Sequence, residues 1–448
     1  MKKRVSFHNL GCKVNAYETD VMSALFEDAG YENVPFEEPA DVVVINTCTV
    51  TNIADRKSRQ MLHRAKKLNP DAVVVAAGCY VTADAERALK DEGIDICIGN
   101  PDKPRIVEIV EAHINGKGMQ EAAAESSEAC VSNKDFRLTR LNERTRAYIK
   151  IQDGCNQFCS YCIIPFARGR TVSRSKEDIL AEIRGLTVLG VSEFVITGIH
   201  VSSYGYDIEK PDAKPKADCF APETLLDLLR SIDALEGVRR IRLSSLEPRI
   251  ITKEFAEGLK EIRALCPHFH LSLQSGSDSV LKRMNRHYDT KDYEERVAIL
   301  RGVFDDPAIT TDVIVGFPGE TEEEFAQSLS FAEKTGFYQM HIFKYSKRKG
   351  TVAANMPGQL TEAQKAERSD RMEEAERRMT EEYISRHVGR EAEVLFEEEC
   401  VAAGQNMLTG YTREYIRVAV PADAKAGDIR RIRLTPGPEA GILSGVEL

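Results

Sequence analysis

Short apolar runs that alternate with helical segments constrain the fold of this chain most. The region before residue 116 contains three runs of strand type and three of helical type, at 5–7, 41–45 and 72–77 and at 14–29, 51–68 and 82–90 respectively. Apolar strands that alternate with helices are typical of a parallel sheet covered on both faces. The sequence therefore predicts an N-terminal parallel α/β domain at residues 1–115.

A second series of the same type follows within residues 143–375. Its six strand-like runs lie at 147–151, 193–197, 240–244, 268–273, 311–315 and 338–343. The helical segments between and after them lie at 176–189, 224–232, 253–262, 292–303 and 322–334. Six such units predict a partial (β/α)6 barrel that is open on one side, with its chemistry at the carboxyl ends of the strands.

Two further segments differ in character from these α/β regions. Residues 116–142 are small and polar with little periodicity, which predicts a linker; it contains Cys130, to which we assign no role. After a charged helical run at 361–386, residues 382–448 are rich in strand signals, at 393–396, 416–420 and 431–434. They predict a small C-terminal β-barrel, of the kind that can bind oligonucleotides.

Three cysteines lie within eight residues directly after the first strand of the second series. Cys155, Cys159 and Cys162 have the spacing C-x3-C-x2-C, and Gly154 before them allows the backbone to turn. Cysteine thiolates hold iron–sulfur clusters, and three ligands leave one iron of a cube open for a substrate or cofactor. A zinc site is the alternative, but zinc usually takes a second, distant pair of ligands.

The N-terminal region carries a second set of three cysteines. Cys12, Cys48 and Cys79 each follow one of its three strand-like runs. Loops at the carboxyl ends of parallel strands converge at one edge of the sheet, so we expect the three thiols to meet there. Such a site again suits a cluster with an open iron; the alternative is three unrelated small apolar residues in turns.

Because the chain has a net negative charge, any surface that binds nucleic acid must be a local basic patch. The 448 residues are 42% hydrophobic and 29% charged, as in a globular protein, and carry a net charge of −10. Basic residues concentrate in the second helical segment: Arg56, Lys57, Arg59, Arg64, Lys66 and Lys67. Arg168 and Arg170, just past the cysteine loop, form a second candidate nucleic-acid contact. A solvated helix face is the alternative for the first group, and binding of a cofactor carboxylate for the second.

The chain has no sequence signal for a membrane or for export. Polar residues interrupt the apolar run after the basic N-terminus, and the longest apolar runs are too short to span a bilayer. A reducing cytoplasm suits free thiolates and iron–sulfur chemistry, so we expect a cytoplasmic protein.

Together these motifs resemble the radical S-adenosylmethionine (SAM) methylthiotransferases over essentially the whole chain. The matching motifs are Gly-Cys-Lys-Val-Asn at 11–15, Asn-Thr-Cys at 46–48, Gly-Cys at 78–79, the cysteine loop with Tyr161, Leu-Ser-Ser-Leu-Glu-Pro at 243–248, Leu-Gln-Ser-Gly-Ser at 273–277, Asp-Val-Ile-Val-Gly-Phe-Pro-Gly-Glu at 312–320 and Phe-Lys-Tyr-Ser at 343–346. The C-terminal segment resembles the RNA-binding TRAM domain.

The resemblance implies two [4Fe-4S] clusters, one on each cysteine set, and SAM as the second cofactor. It implies cofactor contacts at Tyr161, Gly198, Ser245, Glu247, Gln274, Asp312 and Gly316. Thr197-Gly198-Ile199 departs from the Gly-Gly-Glu-like motif of the superfamily, because Ile199 stands where the acidic contact to the SAM amino group is usual. The cofactors carry the chemistry, so no side-chain acid or base is assigned.

The segment at 11–15, followed by Glu18, and Thr-Gly-Ile-His at 197–200 resemble the branch that acts on tRNA. That branch adds a methylthio group to carbon 2 of N6-threonylcarbamoyladenosine at position 37, beside the anticodon. The implied partners are the tRNA anticodon stem-loop and a one-electron reductant such as flavodoxin or ferredoxin. The two cysteine sets must then face each other, so we expect the N-terminal sheet to cap the open barrel.

Three other functions stay open at this point. Within the family, the acceptor could be an aspartate of a ribosomal protein or N6-isopentenyladenosine in tRNA. Outside it, a redox-sensing iron–sulfur protein that binds RNA without catalysis would use some of the same residues. Two open-iron sites and a partial barrel exceed what electron transfer requires, which favours an enzyme.

Overall fold

Five parallel strands form the N-terminal sheet of the computed structural model, which describes residues 2–116, 136–141, 145–212, 217, 219–402, 404–421, 424–437, 439 and 441–448. The strand order is β2-β1-β3-β4-β5. The strands are β1 (Arg4–Asn9), β2 (Glu32–Val34), β3 (Val42–Thr47), β4 (Val73–Gly78) and β5 (Ile96–Ile98). The helices are α1 (Lys13–Asp28), α2 (Asn52–Leu68), α3 (Cys79–Ala83), α4 (Ala85–Leu89) and α5 (Ile106–Ile114).

Local sequence explains most of this N-terminal sheet. Strand β3 is buried along its whole length, as its apolar run predicts. Thr51 caps α2 by accepting a hydrogen bond from the Ala54 amide. The single helix predicted at 82–90 is wrong. The helical segment begins at Cys79 and breaks at Asp84, whose φ of −145° is not helical.

The next seven strands form the half-barrel. They are β6 (Arg146–Asp153), β7 (Val172–Ser173), β8 (Glu193–Gly198), β9 (Arg240–Leu243), β10 (His268–His270), β11 (Ala308–Val315) and β12 (Gln339–Lys344). The helices are α6 (Ile164–Ala167), α7 (Lys176–Val188), α8 (Tyr206–Glu209), α9 (Pro222–Asp233), α10 (Lys253–Lys260), α11 (Asp278–Arg283), α12 (Thr290–Val303), α13 (Glu322–Thr335) and α14 (Glu362–Ser385).

Six of these strands confirm the predicted partial barrel. Strands β6, β8 and β9 pair in parallel, as do β10, β11 and β12. A parallel bridge between Leu246 and Leu271 joins the two sheets. The added strand β7 runs antiparallel to β6 at the open edge. Most of the predicted linker at 116–142, with Cys130, lies outside the described residues.

The C-terminal segment is a five-stranded antiparallel barrel rather than the three strands that sequence signals indicated. Its strands are β13 (Glu391–Ala402), β14 (Gln405–Thr412), β15 (Arg417–Pro421), β16 (Ile429–Thr435) and β17 (Ser444–Glu447). Their order is β15-β14-β13-β16-β17, and a bridge between Val418 and Leu443 closes the ring. Among the described residues, no helix is long and apolar enough to cross a membrane.

Glu193 organises the contact between the half-barrel and the C-terminal barrel. Its carboxylate lies 2.9 Å from Arg240 Nε and 3.1 Å from Arg242 Nε, and all three side chains are buried. Arg240 also donates hydrogen bonds to the carbonyls of Tyr411 and Thr412. One buried carboxylate thus orients the two arginines that hold the C-terminal barrel.

We expect Glu193→Gln to lower the free energy of unfolding by about 3–5 kcal/mol, because it leaves two buried guanidinium groups without their anion. Burial favours the neutral carboxyl, but Arg242, Arg240 and Arg146 lower the pKa of Glu193 to about 2. This stability is therefore present above pH ~4.5 and is lost as the pH falls toward 2. Urea unfolding at several pH values measures both effects.

The matched control is Glu86→Gln, at an exposed glutamate that pairs with Lys90. It should change the free energy of unfolding by less than about 0.5 kcal/mol. A Glu193→Gln protein as stable as this control would contradict the role of the Glu193 carboxylate.

Candidate functional site

The first cysteine set lies at one edge of the N-terminal sheet. Cys12 directly precedes α1, Cys48 directly follows β3, and Cys79 begins α3 after β4. Strands β1, β3 and β4 are neighbours, so the three loops converge as predicted. A Cβ atom at Gly11, where φ is +109°, would lie 2.9 Å from Cys48 Sγ, so only glycine fits beside this thiol.

The three thiols act on one another electrostatically. Burial raises the pKa of Cys48 to about 11, and repulsion from Cys79 and Cys12 adds to this. Burial also raises the pKa of Cys12, against the attraction of Arg168. Asn100 Nδ2 lies 3.6 Å from Cys79 Sγ and donates to it. Thiolates this close need a shared positive charge to stay ionised, which an iron–sulfur cluster supplies.

The second cysteine set lies in the loop that follows β6. A Cβ atom at Gly154 would lie 1.9 Å from the Arg170 carbonyl oxygen, so glycine is required at this turn. The Cys155 amide donates to the Gly169 carbonyl at 3.1 Å, and the Cys162 amide to the Cys159 carbonyl at 3.0 Å. These bonds fold the loop into a compact arc at the carboxyl end of the strand.

An arginine remote in sequence supports this loop. Arg286 Nη1 lies 3.2 Å from Cys159 Sγ, and Arg286 Nη2 lies 2.6 Å from Glu247 Oε2. Burial by itself would raise the pKa of Glu247, but Arg286, His200 and Arg249 lower it. Sequence reasoning missed Arg286 because nothing in its neighbourhood signals a cluster, and 127 residues separate it from Cys159.

Both cysteine sets fit a multi-iron cluster better than a single ion. Burial raises the pKa of Cys155 to about 12 and that of Cys162 further, again with repulsion between the thiols. In the described structure, the three Sγ atoms of neither cysteine set all lie within 4.8 Å of one another. One zinc ion needs its sulfur ligands closer than that, whereas a cube binds each thiolate through a different iron.

The other predicted cofactor residues occupy varied environments. Gly198 lies against Gln152, and Gln274 has a left-handed backbone with φ of +69°. Tyr161 packs beside an apolar cluster that includes Phe317, and Ser245 is exposed.

Two of the predicted contacts, Gly316 and Glu247, also have partners within the protein. Gly316 is buried and its amide donates to Glu320 Oε2 at 2.7 Å. A Cβ atom there would lie 2.5 Å from Lys365 Cγ, so this glycine packs closely against Lys365. Glu247 is held between Arg286 and Arg249.

Glu18 joins the two cysteine-bearing regions. Its buried carboxylate lies 2.5 Å from Lys103 Nζ, 2.9 Å from Lys150 Nζ and 2.9 Å from Arg168 Nη1. Asp153, two residues before Cys155, pairs with Lys150 and Arg168 at 3.1 Å each. We call these five side chains the Glu18 network. It holds the edge of the N-terminal sheet against the cysteine loop, as the expected capping requires.

The Glu18 network corrects one prediction. Arg168 was predicted to contact RNA, but its side chain is 1% exposed and its guanidinium is used by Glu18, Asp153 and Asn15. Burial among carboxylates makes it a structural residue. Arg170 is exposed and lies over the ring of Phe158.

The basic helix α2 presents most of its predicted cations to solvent. Arg56, Lys57, Arg64 and Lys67 are exposed and Arg59 is half-buried. Lys66 is engaged by Asp95 at 2.8 Å, which makes it the least available of the six. The start of α2 contacts the loop after β12, where the Asn52 amide donates to Ser346 Oγ at 2.9 Å. The basic helix therefore starts beside the half-barrel.

A polar group that sequence reasoning did not combine lies inside the half-barrel. His270, Asp312 and His341 come from the adjacent strands β10, β11 and β12, and one ligand atom from each lies within 4.8 Å of the others. His270 Nε2 is 3.2 Å from Asp312 Oδ2. Lys13 lies close enough that its charge acts on Asp312 and His341. Asp312 was predicted as a cofactor contact, while Lys13 was only part of a motif.

Comparisons with known proteins agree with this arrangement. Residues 149–332 match the Radical SAM superfamily, and residues 4–99 match Uncharacterized protein family UPF0004. The chain is 40% identical to threonylcarbamoyladenosine tRNA methylthiotransferase MtaB of Bacillus subtilis, over 92% of this chain and 89% of the relative. The chain belongs to the radical SAM methylthiotransferase family, in its MtaB-type branch.

The chain is also similar to a second tRNA-modifying relative and to a solved structure. It is 33% identical to a tRNA-2-methylthio-N(6)-dimethylallyladenosine synthase of Thermoanaerobacter sp., over 92% of this chain and 86% of the relative. Its fold is similar to that of the radical SAM methyltransferase TsrM of Kitasatospora setae, with a TM-score of 0.56 and 17% identity. That match covers 79% of this chain and 77% of TsrM.

The two cysteine sets should load iron independently, because they lie on separate elements and share no ligand. We expect the triple variant Cys155→Ala, Cys159→Ala, Cys162→Ala to hold about four irons per chain where the wild type holds about eight. Iron analysis of anaerobically purified protein measures this. Cys400→Ala, in the C-terminal barrel, is the matched control. A triple variant without iron would indicate one shared cluster.

Proposed function

We propose that this protein transfers a methylthio group to carbon 2 of N6-threonylcarbamoyladenosine at position 37 of tRNA. The observation that carries the proposal is the placement of two cysteine triads on regions that the Glu18 network clamps together. One triad suits a cluster that cleaves SAM, and the other suits a cluster that holds sulfur. The MtaB relatives act on this nucleoside according to their names, and they match almost the whole chain.

The residues of this chain have three tasks in that reaction. Cys155, Cys159 and Cys162 would hold one [4Fe-4S] cluster, and the thiolates at 12, 48 and 79 the other. When bound, the clusters and SAM supply the radical and sulfur chemistry that replaces an aromatic C–H hydrogen, which no side chain can perform. Arg286 orients Cys159 and balances the charge of the thiolates. The Glu18 network keeps the two triads at a constant separation and excludes water between the regions.

We propose the anticodon stem-loop as the part of tRNA that binds. Its loop offers unstacked bases that can enter the half-barrel. The exposed cations of α2 would contact the phosphates, because this helix starts beside the half-barrel. The C-terminal five-stranded barrel would act as a TRAM-like RNA-binding unit, and a flavodoxin or ferredoxin would deliver the electron. The functional units would be 1–115, the linker 116–142, 143–375 and 382–448.

The decisive experiment separates the roles of the two cysteine sets. We expect the triple variant Cys12→Ala, Cys48→Ala, Cys79→Ala to cleave SAM to 5′-deoxyadenosine but to form no methylthio-adenosine, because no sulfur would face the base. The assay is anaerobic, with dithionite and tRNA that lacks the methylthio group, and it measures both products. Cys400→Ala should form both. Methylthio product from the triple variant would refute the role of the N-terminal set.

The basic helix gives a second test of the proposal. Replacing Arg56 and Lys57 by Ala should weaken tRNA binding and reduce the slope of log affinity against log salt by about one to two, because phosphate contacts release counterions. A filter-binding series from low to high salt measures the slope. Lys90→Ala, at an exposed lysine outside α2, should leave it unchanged. An unchanged slope in the double variant would make α2 a solvated helix face.

A further inference from the structure

Lys13 is a cation at the edge of the N-terminal sheet without an anion of its own. It follows Cys12 as the first residue of α1. No carboxylate within the described part of the chain lies within ion-pair distance of its ammonium, while the other cations near this edge, Lys103, Lys150 and Arg168, all pair with Glu18. The ammonium of Lys13 is exposed and therefore available to an anion from outside the chain.

Lys13 lies where the sheet edge meets the half-barrel. Cys12 and Lys13 are both exposed, and Asp312 of the half-barrel lies close enough that its charge acts on Lys13. The charges of Arg242 and Arg146, also from the half-barrel, act on Lys13 as well. Lys13 therefore borders the gap between the sheet edge and the half-barrel, where charges act more strongly than in water.

The opposite side of this gap is built from strands β10–β12. Asp312 and His341 are paired in register, and His270 lies beside both. Phe343 lies two residues after His341 and so points to the same face, where 45% of it is exposed. The gap thus combines a cation, polar hydrogen-bonding groups and an aromatic surface on which a base can stack.

The charge balance of this gap favours an anionic ligand over a metal cation. Asp312 is the one acid among His270, Asp312 and His341, and its Oδ2 already contacts His270 Nε2 at 3.2 Å. The positive charges of Lys13 and Arg242 act on each other and on His268, the first residue of β10, and would repel a divalent ion. A carboxylate or phosphate is stabilised by the same charges.

We propose that Lys13 binds the carboxylate at the end of the N6 substituent of the target adenosine, and so selects an anionic substituent over a neutral one. The proposal deepens the proposed function and rests on it. A threonylcarbamoyl group ends in a carboxylate, whereas the dimethylallyl group named for other relatives is a hydrocarbon. Lys13 adjoins Cys12, so the substituent that it binds would be held beside the first cysteine set.

The test compares anticodon stem-loops with three nucleosides at position 37: N6-threonylcarbamoyladenosine, its neutral carboxamide and N6-dimethylallyladenosine. The variants are Lys13→Met, which removes the charge at similar length, and Lys13→Arg, which keeps it. Lys90→Met is the control at an exposed lysine. The assay measures kcat/KM for methylthio product and, separately, the affinity for each stem-loop. Equal iron content establishes that the variants are folded and loaded.

We expect the wild type and Lys90→Met to prefer the carboxylate over the carboxamide. Lys13→Met should lose about 10- to 100-fold in kcat/KM and in affinity with the carboxylate substrate only, as for a buried charge-assisted hydrogen bond. For Lys13→Met, the ratio of kcat/KM with the carboxylate to kcat/KM with the carboxamide should thus fall to about one. Lys13→Arg should retain most of the wild-type preference for the carboxylate.

Three results would overturn the inference. An equal loss with the carboxylate and the carboxamide would indicate a structural role of Lys13. An unchanged preference in Lys13→Met would show that Lys13 does not contact the carboxylate. Absence of methylthio product from the wild type with every stem-loop would overturn the proposed function, and this inference with it.

Discussion

The buried carboxylate of Glu18 is the interaction on which the rest of the structure depends. It comes from the first helix and has three cations around it, of which Lys150 and Arg168 belong to the half-barrel. Burial by itself would raise the pKa of Glu18, but these cations lower it well below its ordinary range. Removing one partner of such a network leaves an uncompensated buried charge, which costs several kcal/mol. The network therefore fixes one docking arrangement.

That arrangement determines what the two cysteine sets can do together. Each set lies at the carboxyl ends of parallel strands, in a separate sheet. Asn100, from the N-terminal region, donates to the carbonyl of Ala167, the last residue of the short helix α6 after the second set. The two strand-end surfaces are thus pressed toward each other. A reaction that needs a radical on one side of a base and sulfur on the other requires such a geometry.

A different buried carboxylate, Glu193, anchors the C-terminal barrel through Arg240 and Arg242. Arg242 also lies over the ring of Tyr415 from that barrel. Both connections between regions follow one physical rule: an acid in the interior is tolerated because cationic side chains from other elements neutralise it. Charged contacts of this kind are directional, so they set orientation more sharply than apolar burial does.

The sequence by itself determined the six parallel strands of the half-barrel, three of the five N-terminal strands and the grouping of six cysteines at strand ends. The apolar periodicity and the cysteine spacing are local properties, so they do not depend on how the regions of the chain dock against one another. Only the tertiary structure decided that Arg168 is buried rather than exposed, that Arg286 reaches Cys159 and that Lys13 forms no ion pair with any described residue. It also revealed strands β14 and β17, whose polar residues give weak strand signals. These features depend on which residues, distant in sequence, lie close together in the folded protein. The order of charged residues along the chain does not specify that proximity.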